Sequence, residues 1–165
     1  MSKQYSTGSH AGVWIIGITV AVVAILALII SQNTPPTKTN REVALSCTTD
    51  AATQFHIHPK LTILISGQEQ TIPAEVGASG LCLHPLHTHD ASGVIHIESP
   101  EKRDFTLADF FAVWDKPFTK DQILDYRADD RHVIRETVNG NEVQTYEQTI
   151  LRDNDAIVIA YEEKK

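Results

Sequence analysis

Positive charge, sulfur and enzymatic signatures are all scarce in this sequence, and each shortage removes a class of function. Only 14 Lys and Arg stand against 21 Asp and Glu. An acidic chain has no attraction for a phosphate backbone, which removes nucleic acid as a partner. The single methionine is Met1, so a cupredoxin-like copper site has no thioether for its usual axial position. Cysteine is limited to Cys47 and Cys82. That even count favours one disulfide between them in an oxidising compartment, over Cys82 as a thiolate ligand. No Gly-x-Ser-x-Gly, Walker loop, Gly-rich dinucleotide turn or His-Glu-x-x-His occurs, so hydrolase, nucleotide and metalloprotease readings have no support. Internal repeats and low-complexity tracts are absent as well.

What is present divides the chain unevenly. Residues 13–30 (VWIIGITVAVVAILALII) form an uncharged, predominantly apolar run. At about 1.5 Å rise per residue it comes close to spanning a hydrocarbon core of roughly 30 Å. It is longer than a signal-peptide core and offers no clean cleavage site on exit, so it reads as an uncleaved single-pass anchor. Lys3 before it and Lys38 and Arg41 after it leave the positive-inside count nearly even. All 21 acidic residues and both cysteines lie C-terminal to the span. The expected orientation is therefore a cytoplasmic tail at 1–12, a transmembrane helix at 13–30, a linker at 31–42 and an extracytoplasmic domain at 43–162. Only Lys3 among the 14 basic residues precedes the span, so residues 31–165 carry 13 basic against 21 acidic side chains, a net charge of −8. Such a domain attracts cations.

Periodicity inside the domain predicts a small α+β, β-rich fold with one or two short helices. From Phe55 to Ile65, the residues Phe55, Ile57, Leu61, Ile63 and Ile65 share one face, and His56, His58, Lys60 and Thr62 the other. A turn at 66–69 and a return strand at 70–72 would complete a hairpin. Gly93–Glu98 reads as another strand. Leu107, Phe110, Phe111 and Trp114 then fall on a helical stripe behind Thr106 as N-cap and Asp109 at N3. Thr119–Tyr126 reads as a second short helix. Arg131–Val138, the Asn139-Gly140 hairpin signal, Glu142–Thr145 and a closing strand Ala156–Tyr161 finish the domain. Hairpin, helix and closing strand together resemble the β-grasp arrangement of ubiquitin-like sulfur carriers. The sulfur carriers' C-terminal Gly-Gly is missing, since the sequence runs Glu162-Glu163-Lys164-Lys165.

Histidine is the residue in excess. Six of eight fall between positions 56 and 96: His56, His58, His84, His87, His89 and His96. An H-x-H pair on an extended chain puts both imidazoles on one side with Cα atoms about 6.6 Å apart, near enough for one ion. His56-x-His58 is such a pair, and His87-x-His89 is a second with Asp90 beside it. His96-x-Glu98 adds an imidazole and a carboxylate on one face. Imidazoles suit copper or zinc, and Asp90, Glu98 and His84 can orient rings from outside the ligand set. His10 and His132 stand alone, and Asp153-Asn154-Asp155 reads as a solvated turn, because the Gly and Glu of an EF-hand loop do not follow.

The stretches HIHPKLTILISGQEQTIPAEVG and CLHPLHTHDASGVIHIESPEKRDFTLADFFAVW resemble an uncharacterised family of N-terminally anchored bacterial and archaeal proteins. Its signature runs H-x-H, then L-H-T-H-D-x-x-G-x-I-H-x-E, then F-T-L with F-F and W. The resemblance spans residues 56–114 and implies that these positions form one structural unit; it implies no mechanism. The expected function is a membrane-anchored extracytoplasmic binder of copper or zinc. Two alternatives stand beside it: a β-grasp-like protein- or ligand-binding domain with structural histidines, and a surface metal-dependent enzyme in which Asp90 or Glu98 serves as base. The sequence points to no particular protein partner.

Overall fold

The computed structural model describes Val23, residues 38–47 and residues 53–164. The expected span at 13–30 lies outside these apart from Val23, and among the described residues no helix is long and apolar enough to cross a membrane. Lys38 onward forms one compact unit.

The unit is a β-rich α+β domain. Its strands are β1 (Phe55–Ile57), β2 (Lys60–Ile65), β3 (Gln68–Gln70), β4 (Ala78–Ser79), β5 (Cys82–Leu83), β6 (Leu86–His87) and β7 (His96–Ser99), then β8 (Phe118–Thr119), β9 (Gln122–Ile123), β10 (Tyr126–Arg127), β11 (His132–Val138), β12 (Asn141–Val143) and β13 (Ala156–Glu163). The main sheet runs β12-β11-β13-β2-β3, with β2 and β13 parallel at its centre. Alternation decides which face is inside: Leu61, Ile63 and Ile65 lie opposite Ile157, Ile159 and Tyr161, and all six are buried. Each fully buried Ile or Leu there contributes about 1.5–3 kcal/mol. The β2–β3 connection is the two-residue turn Ser66-Gly67, both at positive φ, and Asn139-Gly140 does the same between β11 and β12. These are the backbone values that right-twisted hairpins favour.

Helix Leu107–Val113 supplies Leu107, Phe110 and Phe111 to the same core. The Asp109 carboxylate accepts the Thr106 N–H at 3.0 Å and the Arg41 Nε–H at 2.7 Å. Arg41 belongs to a short helix, Asn40–Ala44, closed by a capping box between Thr39 and Glu42. Residues 38–42, which composition assigns to a linker, are therefore part of the folded unit. Arg103 also donates to the Lys38 carbonyl at 3.1 Å, and Asn40 to that of Asp104 at 2.8 Å.

Two further expectations are corrected. Thr119–Tyr126 is not helical but folds into the small β8-β9-β10 sheet. The Leu124 amide is taken by the Pro117 carbonyl at 2.9 Å, and Leu124 itself sits at φ 50°, so a helical ladder cannot form there. Phe55–Ile65 is not one strand either. It breaks at His58-Pro59, because proline has no N–H to extend a ladder. β1 joins a second sheet of order β1-β7-β6, and β2 joins the main one.

Candidate metal centre

The second sheet carries the histidines. β1 pairs with β7 so that His56 faces Glu98 and Ile57 faces Ile97; β6 pairs with β7 so that His87 faces His96 and Leu86 faces Ile97. Ile57, Leu86 and Ile97 are buried in the core. Because side chains alternate, that burial forces His56, His87, His96 and Glu98 together onto the other side.

The sheet is locked to the main one at Gly93. The Leu61 amide donates to the Gly93 carbonyl at 2.9 Å, and the Ile95 amide to that of Pro59 at 2.9 Å. Gly93 sits at φ +81°, where a Cβ would lie 2.3 Å from the Leu61 carbonyl oxygen. Only glycine fits there, and the chain then enters β7 with His96 aimed at the cluster.

His96 is the hub. Its ring centroid lies 4.3 Å from that of His89, 4.7 Å from His58, 5.6 Å from His87 and 5.9 Å from His56. Two donor sets share it: His87, His89, His96 and Glu98 form one, and His56, His58 and His96 the other. Within each set the donor atoms all lie within 4.8 Å of one another.

Hydrogen bonds fix the tautomers. His87 Nδ1 lies 3.0 Å from the His84 carbonyl, which can only accept, so Nδ1 carries the proton and Nε2 keeps its lone pair. That Nε2 is 3.3 Å from His89 Nε2. Two nitrogens on one tetrahedral ion at about 2.0–2.1 Å are about 3.3–3.4 Å apart, so the pair is already at ligand spacing. His96 Nδ1 is buried and has no hydrogen-bond partner among the described residues, a condition that costs about 1–3 kcal/mol unless something binds it. Burial, joined by the fields of His89, His58 and His87, pulls His96 down to about 4 against the opposing pull of Glu98. His87 is lowered too, first by burial. Both rings are thus neutral at neutral pH, the form that ligates metal.

The structure brings five expected histidines together, with Glu98 among them; Glu98 Oε1 is also 3.2 Å from His56 Nε2. Asp90 belongs to neither donor set: its Oδ1 accepts the Ser92 amide at 2.8 Å, closing the turn that carries His89 toward Gly93, while its charge still acts on His89 and His96. His84 stands beside the cluster and touches it through its carbonyl to His87. Cys47 and Cys82 form a disulfide, with Cα atoms 5.0 Å apart. Asp153 escapes a reading from sequence. It sits in the expected turn, yet its Oδ1 accepts the His58 amide at 2.9 Å and lies 3.9 Å from His58 Nδ1. The two residues are 95 positions apart, and no local pattern announces the contact. His132 is remote in role, stacked on Tyr161 and bonded to Asp129.

The chain matches no protein-family model, no curated protein and no solved structure.

Proposed function

We propose that the chain is a membrane-anchored metal-binding protein whose extracytoplasmic domain holds copper or zinc in the histidine cluster. The observation that carries this reading is the convergence of four imidazoles on His96, whose buried Nδ1 has no hydrogen-bond partner among the described residues. His87, His89 and His96 would hold the ion with Glu98, and His56 and His58 flank it. A neutral-imidazole set with one carboxylate and tetrahedral spacing fits Zn(II) or copper better than a hard, oxygen-seeking ion. Bound there, the ion would be sequestered, carried or used to brace the fold. The disulfide and the net negative charge support an oxidising, cation-attracting location, with residues 13–30 as the tether. The parallel first and last strands of the main sheet, with the helix between them in sequence, support the β-grasp-like reading of the architecture.

Structural histidines on a binding domain are the weaker reading, since they would scatter across faces instead of crowding around one ring. The test is metal analysis of the full chain in mild detergent, with Cu(I), Cu(II) and Zn(II) titrations. About one tight equivalent is expected, lost in His87→Ala/His89→Ala while the circular dichroism spectrum is kept. A double variant that binds as the parent does would remove the cluster from the reading.

A further inference from the structure

A second donor set lies beside the disulfide and shares no residue with the histidine hub. Cys47 Sγ, Cys82 Sγ and one ring nitrogen of His84 are all within 4.8 Å of one another. The imidazole is oriented for this: His84 Nδ1 lies 3.1 Å from the Ala44 carbonyl, so it carries the proton and leaves Nε2 with a free lone pair. That lone pair faces Cys82 Sγ at 3.6 Å. In the neutral ring neither a disulfide sulfur nor this nitrogen holds a hydrogen, so the contact is not a hydrogen bond. A tetrahedral ion with metal–sulfur about 2.3 Å and metal–nitrogen about 2.0–2.1 Å sets sulfur and nitrogen about 3.6 Å apart and two sulfurs about 3.8 Å apart. The nitrogen–sulfur spacing is therefore already met, and only the sulfurs must separate.

The surroundings permit that. Cys47 is exposed and Cys82 half-buried, so a reductant can reach the bond. Cys82 sits on the two-residue β4–β5 ladder, opposite Ser79, the smallest sheet among the described residues. Leu81, at its tip, is 93% exposed.

We propose that Cys47, Cys82 and His84 form a redox-gated second metal site, closed as the disulfide and opened by a dithiol to take a thiophilic ion, Zn(II) or Cu(I). The dithiol gives two electrons and two protons to the Cys47–Cys82 bond and leaves as its own cyclic disulfide. The ion then displaces the two thiol protons to solvent and takes two thiolates and His84 Nε2. Three protein donors leave one position for water or for a ligand that hands the ion over. His84 also joins the two sites, because its carbonyl accepts from His87. The redox state of the disulfide hairpin can in this way bias the histidine cluster.

The test uses the full chain in detergent, oxidised or reduced with a phosphine, which contributes no thiolate. Co(II) is the probe, since thiolate-to-cobalt charge transfer in the near ultraviolet is silent for a purely imidazole site. This separates failure here from failure of the histidine cluster. One equivalent with a thiolate band is expected in the reduced protein only, absent from Cys47→Ser/Cys82→Ser and bleached by Zn(II). His84→Ala should weaken the site by at least the roughly 10–100-fold that loss of even an orienting partner costs. A reduced protein without the band, or with one indifferent to His84→Ala, overturns the proposal. So does a far-UV circular dichroism signal lost on reduction and not restored by the ion.

Discussion

His96 gives the acid limb of the metal-free protein a residue to answer for. Its folded pKa is held near 4 against an ordinary 6.5, chiefly by burial. Between those values the unfolded chain takes up a proton that the folded one refuses, so stability falls as pH drops through that window and is flat above it. Chelator-treated protein should lose melting temperature from about pH 6.5 downward, and His96→Asn should flatten the profile. A parent profile unchanged down to about pH 4 would mean the ring is not held neutral. Zinc or copper should steepen the same limb, because ligation and protonation compete for one lone pair.

Gly93 does at the scale of an element what His96 does at that of a residue. Gly93→Ala adds a Cβ 2.3 Å from a backbone oxygen and holds a left-handed φ, at a combined cost of roughly 2–4 kcal/mol. Chemical denaturation measures that loss. Metal titration of the same variant should show weakened binding, since Ile95 and His96 lie just beyond it in the chain. Elements of this kind bear on what could be read from sequence. The helix at Leu107–Val113, the Asn139-Gly140 turn and the alternating β13 were legible because each is specified by its own period or turn chemistry. The grouping of His87, His89, His96 and Glu98 was legible because a short loop and two strand registers suffice to make it. The β8-β9-β10 sheet was not: its two-residue strands are shorter than any period, and Thr119–Tyr126 mimics a helical turn. Nor was the break at Pro59, where the polar face runs on unbroken while the chain changes sheets. Asp153 meets His58 only through the β2–β13 pairing, which no local window contains.

Across the whole molecule, the disulfide ties helix Asn40–Ala44 and its C-terminal neighbours to the β4–β5 hairpin over 35 residues of chain. In the chain-entropy picture such a closure contributes on the order of 3–4 kcal/mol. Cys47→Ser/Cys82→Ser should therefore unfold at lower denaturant with a near-native far-UV spectrum. Urea titration of oxidised parent and variant checks it, and equal midpoints would show that the bridge serves chemistry rather than stability. Neither cysteine belongs to the histidine donor sets, so the double variant should still bind its tight equivalent.

The position of β13 has a consequence in time. Ala156–Glu163 fills the gap between β2 and β11 at the centre of the main sheet. Until residue 163 has left the ribosome, β2 and β11 have no full strand between them, and the main sheet cannot be completed. Contacts this distant in sequence form late. A chain cut short before Ala156 would therefore leave one edge of β2 and one edge of β11 unpaired, the kind of free edge that invites pairing with another chain.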